Sequence, residues 1–227
     1  MNRITFLLLT LGLSLAPVLC WSAEPVADQA TAIAAIEKLG GKLTVDEKSP
    51  GKPVIAVALA KTKVTDAGLE QLKGLPHLQS LDLSHTKVTD AGMVYLKGLP
   101  NMQTLNLGTT QITDAGLEHL MGMTKLKSLT LADTQVTDAG LVHVKALVQL
   151  QFLSLTATKV TDGGLVNLAG LTQLKTLHLW KTQVTDAGLE HLKGLTKLHF
   201  LCLAGTKVTD AGVKAFEKAL PKCDIYH

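Results

Sequence analysis

The sequence predicts an α/β solenoid in which short strands and short helices alternate and stack side by side. A motif of the form Val-Thr-Asp-Ala-Gly-Leu recurs along the chain at a fixed step of 24 residues, which is the signature of a repeat array. Within each step the apolar residues change from alternate spacing to a spacing of three, as in a strand followed by a helix. The motif copies begin at Val64, Val88, Ile112, Val136, Val160, Val184 and Val208.

Residues 1–23 have the layout of a secretory signal peptide. A positive start at Arg3 is followed by an apolar run over 4–19 without a charge. An uncleaved membrane anchor is the alternative, because this run is only slightly short for a membrane span. Pro17 favours cleavage, and the residues before Cys20 fit a lipoprotein signal poorly. We therefore predict an exported protein (periplasmic, cell-surface or secreted) that keeps no membrane span after cleavage.

Residues 24–53 are interpreted as an N-terminal cap, because a stack of repeats exposes an apolar face at each end. A helix is predicted, ended by Gly40-Gly41. Residues 42–45 then predict a short edge strand and residues 46–53 a turn. An amphipathic helix that binds another protein is the alternative. The apolar residues that predict the helix are Val26, Ala30, Ile33, Ile36 and Leu39.

Residues 54–212 form the repeats. In the unit that begins at Leu78, the alternation of Leu81 and Leu83 with polar neighbours predicts a strand with one buried face. Apolar residues three apart follow and predict about two turns of helix. We expect all of these apolar residues to be buried. The helical set is Met93, Leu96, Leu99 and Met102.

The unit resembles the leucine-rich repeat in the pattern Leu78-x-x-Leu81-x-Leu83-x-x-Thr86-x-Val88. The Thr-Asp-Ala-Gly-Leu half is similar to the bacterial and cysteine-containing subclasses, and the resemblance covers residues 54–227. It implies a curved horseshoe with a parallel sheet on the inner face and short helices outside. The ninth position is Thr in every copy, where the family usually has Asn or Cys. A hydroxyl here can bond the neighbouring turn, which predicts a threonine ladder.

Three further columns repeat with the motif. Thr89 or Asp90 is expected to supply the N-cap oxygen of the helix, and the aspartates at the Asp90 position are interpreted as helix caps rather than cation ligands. The glycines at the Gly92 position are expected to permit close backbone packing. The histidines are expected to be exposed rather than to bind a metal, so no metal and no cofactor is predicted. The histidine column consists of His119, His143 and His191.

Composition argues against a nucleic-acid partner. The formal net charge is +3, the single arginine is Arg3, and the lysines are spread through the repeats without interleaved aromatics. The cysteines that remain after signal cleavage are Cys202 and Cys223. A disulfide between them is disfavoured because they stand at different heights in the repeat, although the sequence does not decide it.

The outward strand positions differ between repeats and are the predicted protein-binding surface. In the earlier repeats these positions are small and polar, as at Ser80, Thr104 and Ser128. In the later repeats they carry rings, and a cluster of exposed rings is typical of a binding hot spot. Incidental hydrophobic surface, or cover from the C-terminal cap, is the alternative. The predicted surface residues are Phe152, His178, Trp180, Lys181 and Phe200.

The sequence argues against an enzyme. Asp82, Ser84 and His85 contain the residue types of a hydrolase triad, but three residues of one extended strand offer neither the geometry nor an oxyanion hole. We therefore predict a non-enzymatic exported protein that binds a macromolecule, with a protein as the expected partner. A structural cell-envelope protein without a defined ligand is the alternative.

Residues 213–227 predict a C-terminal cap. Val213, Phe216 and Leu220 continue the last helical face, and Pro221 ends it. Residues 222–227 then predict a final short strand with Ile225 in the apolar position.

Overall fold

The computed structural model describes residues 28–227, which form one nine-stranded sheet with short helices packed behind it. The strands lie side by side in chain order. Their bounds are β1 (Lys42–Val45), β2 (Val54–Ala58), β3 (Ser80–Asp82), β4 (Thr104–Asn106), β5 (Ser128–Thr130), β6 (Phe152–Ser154), β7 (Thr176–His178), β8 (Phe200–Cys202) and β9 (Asp224–Tyr226). The expected signal peptide lies outside the described residues.

One helix precedes β1, and from β2 onward helical segments connect each strand to the next. The α-helices are α1 (Gln29–Lys38), α2 (Asp114–Leu117), α3 (Asp138–Val144), α4 (Asp162–Leu165), α5 (Asp186–Glu190) and α6 (Asp210–Ala219). Turns of 3₁₀ helix occur at Asp66–Gly74, Asp90–Leu96, Glu118–Leu120 and Val166–Leu168. Mixed α and 3₁₀ geometry is common in helical pieces of one or two turns, and the prediction of short helices is confirmed.

The strand register repeats with the sequence. From β2 to β9 every pair is parallel, and equivalent residues of consecutive repeats face each other, as Leu81 faces Leu105. The predicted parallel sheet is therefore confirmed for eight strands. The exception is β1, which pairs with β2 in antiparallel fashion and forms the edge of the sheet.

The core is a continuous layer of aliphatic side chains between the sheet and the helices. In the unit that begins at Leu78, every expected core residue through Met102 is at most 2% exposed. Each unit contributes the same positions, so the layer runs the whole length of the array. Parallel neighbours satisfy the strand hydrogen bonds, which the short strands of one unit could not do alone.

The first helix covers one end of this layer. The Asp28 side chain accepts a hydrogen bond from the Thr31 N–H at 2.7 Å and caps α1. Ala32 and Ile36 are the buried residues of α1, whereas Ala30 is exposed, so Ala30 was wrongly assigned to the apolar face. Gly40 follows the helix with a φ of 82°, a left-handed conformation that glycine adopts without strain.

The last helix and strand cover the other end. Phe216 of α6 is fully buried, and Ile225 of β9 pairs with Leu201 of β8. The two cysteines are free and buried, and burial raises the pKa of the Cys223 thiol to about 11. In the register of β8 and β9, Cys202 lies opposite Tyr226 and not opposite Cys223. This agrees with the different heights in the repeat that the sequence predicts for the two cysteines. Within residues 28–227, no helix combines the length and apolar character needed to cross a bilayer.

Candidate binding surface

The outward face of the sheet is built from two positions on each strand. A central leucine points into the core, and the residues before and after it point outward, as Ser80 and Asp82 flank Leu81. From β3 to β5 these outward residues are small or polar. From β6 onward one of the two outward residues on each strand carries a ring, which divides the face into two halves. The outward pairs of β6 to β9 are Phe152 and Ser154, Thr176 and His178, Phe200 and Cys202, and Asp224 and Tyr226.

Three of the predicted surface residues stack across neighbouring strands. The ring centroids of Phe152 and His178 are 5.3 Å apart, and those of His178 and Phe200 are 5.4 Å apart, both pairs tilted. The register places Thr176 between the two phenylalanines, so the imidazole of His178 leans back into the space between the phenyl rings. We call these three rings the aromatic ladder. Tilted packing at such distances is a favourable geometry for rings.

The centre of the ladder is a partly buried histidine. Burial lowers the pKa of His178 below its ordinary value of 6.5, because a charged imidazole loses hydration between two phenyl rings. At pH 7 His178 is therefore mainly neutral, with one ring nitrogen as a donor and the other as an acceptor.

Trp180 and Lys181 form a second feature beside the ladder. The Nζ atom of Lys181 lies 4.3 Å from the centroid of the Trp180 ring, in a cation–π contact. Trp180 is 41% exposed. Trp180 lies two residues after His178, just beyond the end of β7. Its ring is not part of the aromatic ladder. The five predicted residues thus share one face, and they divide into a ladder of three and a pair.

One further ring lies on this face that sequence reasoning assigned only to the cap. Tyr226 of β9 is 62% exposed, and the buried Cys202 separates it from His178 in the same outward row. The signal was available, because Tyr226 stands one 24-residue step after Cys202. We define the aromatic patch as the ladder together with Trp180 and Tyr226.

The residue that ends each strand turn adopts a left-handed backbone conformation. At these positions φ lies between 53° and 70°, a region that side chains other than glycine enter at a cost of about 1–2 kcal/mol. From Lys61 to Lys181, the N–H of each such residue donates to a carbonyl of the next repeat, as the His85 N–H donates to the Gly108 carbonyl at 2.9 Å. The positions are Lys61, His85, Thr109, Asp133, Ala157, Lys181 and Gly205.

Behind the sheet, the aspartate column joins each repeat to the next. Asp138 Oδ1 accepts a hydrogen bond from the Thr161 N–H at 2.7 Å, and its Oδ2 accepts one from the Thr161 hydroxyl at 2.5 Å. The threonine caps its own helix, as Thr137 accepts from the Ala139 N–H at 3.2 Å. The interpretation of the aspartates as caps was therefore wrong, because their oxygens are used by the following repeat. We call this arrangement the aspartate clamp. The pairs are Asp66–Thr89, Asp90–Thr113, Asp114–Thr137, Asp138–Thr161, Asp162–Thr185 and Asp186–Thr209.

The glycine column makes room for the clamp. A Cβ atom on Gly92 would lie 2.5 Å from Oδ1 of Asp66, well inside van der Waals contact. The prediction of close packing at these glycines is confirmed, and the group that approaches is the carboxylate of the preceding repeat. At the last clamp, the hydrogen bonds from Thr209 hold the pKa of Asp186 below its ordinary value.

The prediction of a threonine ladder between repeats was wrong. The Thr86 hydroxyl donates to the Leu83 carbonyl at 2.6 Å, three residues earlier in its own turn. The other copies make the same bond, as Thr134 does with Leu131. A hydroxyl is shorter than the Asn side chain usual in the family, so it satisfies its own turn. These threonine hydroxyls therefore bond within their own repeat, and the clamp and the backbone are among the hydrogen bonds that join neighbouring repeats.

The remaining candidates form neither a metal site nor a catalytic triad within the described residues. His191 is exposed as expected, whereas His119 and His143 are half-buried, which corrects their assignment. Within the described part of the chain, no three or more His, Cys, Asp or Glu side chains are grouped to hold a metal ion. Asp82 Oδ1 accepts the Ser84 N–H at 2.9 Å, so this carboxylate closes a turn of its own backbone.

Comparison with known proteins agrees with this architecture. The Leucine rich repeat family matches residues 76–136. The search of curated protein sequences finds no match. Among solved structures, internalin C2 of Listeria monocytogenes is 26% identical with a TM-score of 0.63, over 87% of this chain and 82% of that one.

Two further structures share the fold. The Listeria monocytogenes internalin inlF is 24% identical with a TM-score of 0.56, over 85% of this chain and 61% of that one. A leucine-rich-repeat protein of Leptospira interrogans is 19% identical with a TM-score of 0.51, over 70% of this chain and 45% of that one. The repeats on either side of the matched residues keep the same spacing and strand register. The chain therefore has the fold of leucine-rich-repeat solenoids, and the Leucine rich repeat family model matches 76–136 within it.

Proposed function

We propose that this protein is a non-enzymatic binding protein whose partner is another protein, docked on the aromatic patch. The observation that carries the proposal is the clustering of rings on β6 to β9, on a face that is small and polar on β3 to β5. Grouped exposed rings are far more typical of interaction sites than single exposed apolar residues.

The rings are not needed by the core. The core positions of β6, β7 and β8 are filled by fully buried leucines (Leu153, Leu177 and Leu201), and the rings stand at the outward positions. Trp180 and Tyr226 keep large exposed fractions. Trp and Tyr are also the residues most enriched at the centres of protein interfaces, since they offer a large area at little entropic cost.

The family supports the same class of function. Leucine-rich repeats commonly act as scaffolds for protein–protein interaction, with specificity carried by side chains on a constant frame. A structural role in the cell envelope is the alternative, and it would make the aromatic patch dispensable.

The test compares partner capture by matched variants. The wild-type protein and the W180A/F200A variant are used as bait in envelope extracts of the source cells. The control is V142A/V166A, which removes two exposed apolar residues from the helical side, where Val142 is 56% and Val166 52% exposed. We expect W180A/F200A to lose the captured protein and the control to retain it. Equal capture by all three proteins would contradict the proposal.

We further infer that binding takes place outside the cytoplasm. The support is the sequence of residues 1–23, with its positive start, apolar run and small residues before Glu24. N-terminal sequencing of the protein from its native cells should find a chain that begins near Glu24. A chain that retains residues 1–23 in the cytoplasmic fraction would contradict export.

A further inference from the structure

We propose that the partner carries a short acidic segment that lies along one edge of the sheet, beside the aromatic patch. The edge is formed by the turns that lead into the strands, and its exposed cations are Lys125, Lys127, Lys175 and Lys197. We call these four residues the lysine edge. The inference rests on the proposed function in one respect, namely that edge and patch serve the same partner.

The edge carries charge of a single sign. Across the six turns that precede β3 to β8, the sequence contains four lysines and two histidines but neither aspartate nor glutamate. The remaining turn residues are amide, hydroxyl, proline or apolar side chains. The turns are 76–79, 100–103, 124–127, 148–151, 172–175 and 196–199.

Neutral partners hold three of the four ammonium groups in place. Each donates to an amide oxygen one repeat back, so its position is restrained while its charge is not neutralised. On the helical side, by contrast, Lys73 and Lys193 pair with the carboxylates of Glu70 and Glu190. The edge bonds are Lys125 to Asn101 at 2.8 Å, Lys127 to Gln103 at 2.9 Å and Lys197 to Gln173 at 2.7 Å.

The edge borders the aromatic patch directly. Lys175 precedes Thr176, the residue that pairs with both Phe152 and Phe200 of the ladder. From β5 to β8 there are three strand spacings of about 4.8 Å each, so the edge is roughly 14 Å long. An extended polypeptide covers that distance in about four residues. A partner that places an apolar side chain on the patch would therefore bring neighbouring carboxylates to the edge.

The residue types favour an acidic polypeptide over a nucleic acid. Phosphate recognition favours arginine, whose guanidinium group binds two oxygens at once, and the one arginine of the sequence is Arg3. Single-stranded nucleic acids also need rings along the path of the cations. The six turns contain no Phe, Tyr or Trp. Lysines set between amides suit separate carboxylate groups on a flexible chain.

The test uses poly-L-glutamate as the probe and fluorescence anisotropy at low salt as the readout. The edge variant is K125Q/K127Q/K175Q/K197Q. The matched control changes four exposed lysines in the turns that follow the strands, so the net charge falls equally. That control is K63Q/K87Q/K159Q/K207Q.

We expect the edge variant to bind poly-L-glutamate on the order of tenfold more weakly than wild type, and the control to lose less than about threefold. W180A/F200A should bind the probe like wild type, because poly-L-glutamate has no apolar anchor. This variant separates the two proposals, since it tests the patch only through capture of the natural partner.

Three results would overturn the inference. The first is the absence of poly-L-glutamate binding at low salt. The second is an equal loss in the edge and control variants, which would show that net charge alone attracts the probe. The third is tighter binding of an oligo-dT strand that depends on the same four lysines, which would assign the edge to nucleic acid.

Discussion

The helical side of the array keeps the same clamp residues from repeat to repeat, whereas the outward face of the sheet changes its residues. On the helical side, the aspartate, threonine and glycine of the clamp recur in every repeat. On the sheet, equivalent positions hold serine in β5, phenylalanine in β6 and threonine in β7. The same 24-residue unit therefore contains a constant surface and a variable surface.

The difference follows from what each side chain contacts. In the clamp, three residues from two repeats occupy one space, so a change in one of them leaves another without room or without a partner. The outward side chains of the sheet lie on the opposite side from the leucine core, and equivalent positions accept serine, phenylalanine and threonine in successive strands. If the outward face binds the partner as proposed, stability and recognition belong to different sides of the array, and variants on each side can test that separation.

The largest expected effect is on a clamp glycine. A Cβ atom on Gly140 would collide with the Asp114 carboxylate and would lie 2.9 Å from the Leu117 side chain. We expect G140A to lower the free energy of unfolding by about 2–4 kcal/mol. The control is G122A, where a Cβ atom would meet no atom within 4 Å. Urea denaturation of both variants measures the difference, and equal stabilities would mean that the clamp has no need of glycine.

A smaller effect is expected at the clamp aspartate. In D138N one acceptor becomes an amide donor that faces the donors of Thr161, so we expect a loss of about 1.5–3 kcal/mol. The matched control is D133N, because Asp133 is exposed at the end of a strand turn. Thermal and urea unfolding should show the loss in D138N alone. A comparable loss in D133N would remove the distinction between the two sides.

The smallest effect concerns the variable side. Since burial lowers the pKa of His178, the F152A/F200A variant should bring that pKa back toward 6.5. NMR titration of the imidazole measures it, and an unchanged pKa would mean that other groups bury the ring. In the unfolded chain, His178 binds its proton at a higher pH than it does in the folded chain. The stability from the neutral ring is therefore complete above pH 6.5 and declines as the pH falls through the lowered pKa.

The sequence predicted the fold well because one spacing fixes many contacts at once. The step from Leu81 to Leu105 already gives the strand register. The clamp was missed because threonine and aspartate are both good caps, and local sequence does not reveal an acceptor used 23 residues later. The left-handed positions were missed for a similar reason. Ala157 and Thr109 have no preference for that conformation, and the neighbouring repeat imposes it.

The candidate surface could be predicted only in part. Alternation along the strands placed Phe152 and Phe200 on the outward face, where the structure also has them. It did not show that His178 lies between their rings, because that depends on side-chain rotation across strands. The lysine edge was hidden as well, since its members are separate in sequence and meet only when the turns stack.

Because the clamp joins neighbouring repeats in the same way at each junction, it bears on how the number of repeats can change. Every unit offers a carboxylate to its successor and a threonine to its predecessor, always at the same separation. Duplication of one whole unit therefore creates a new junction with the same clamp as those already present. Deletion of one whole unit joins its two neighbours through the same clamp. A gene that gains or loses segments in this phase can widen or narrow the outward face by one strand, so that two outward side chains are gained or lost each time.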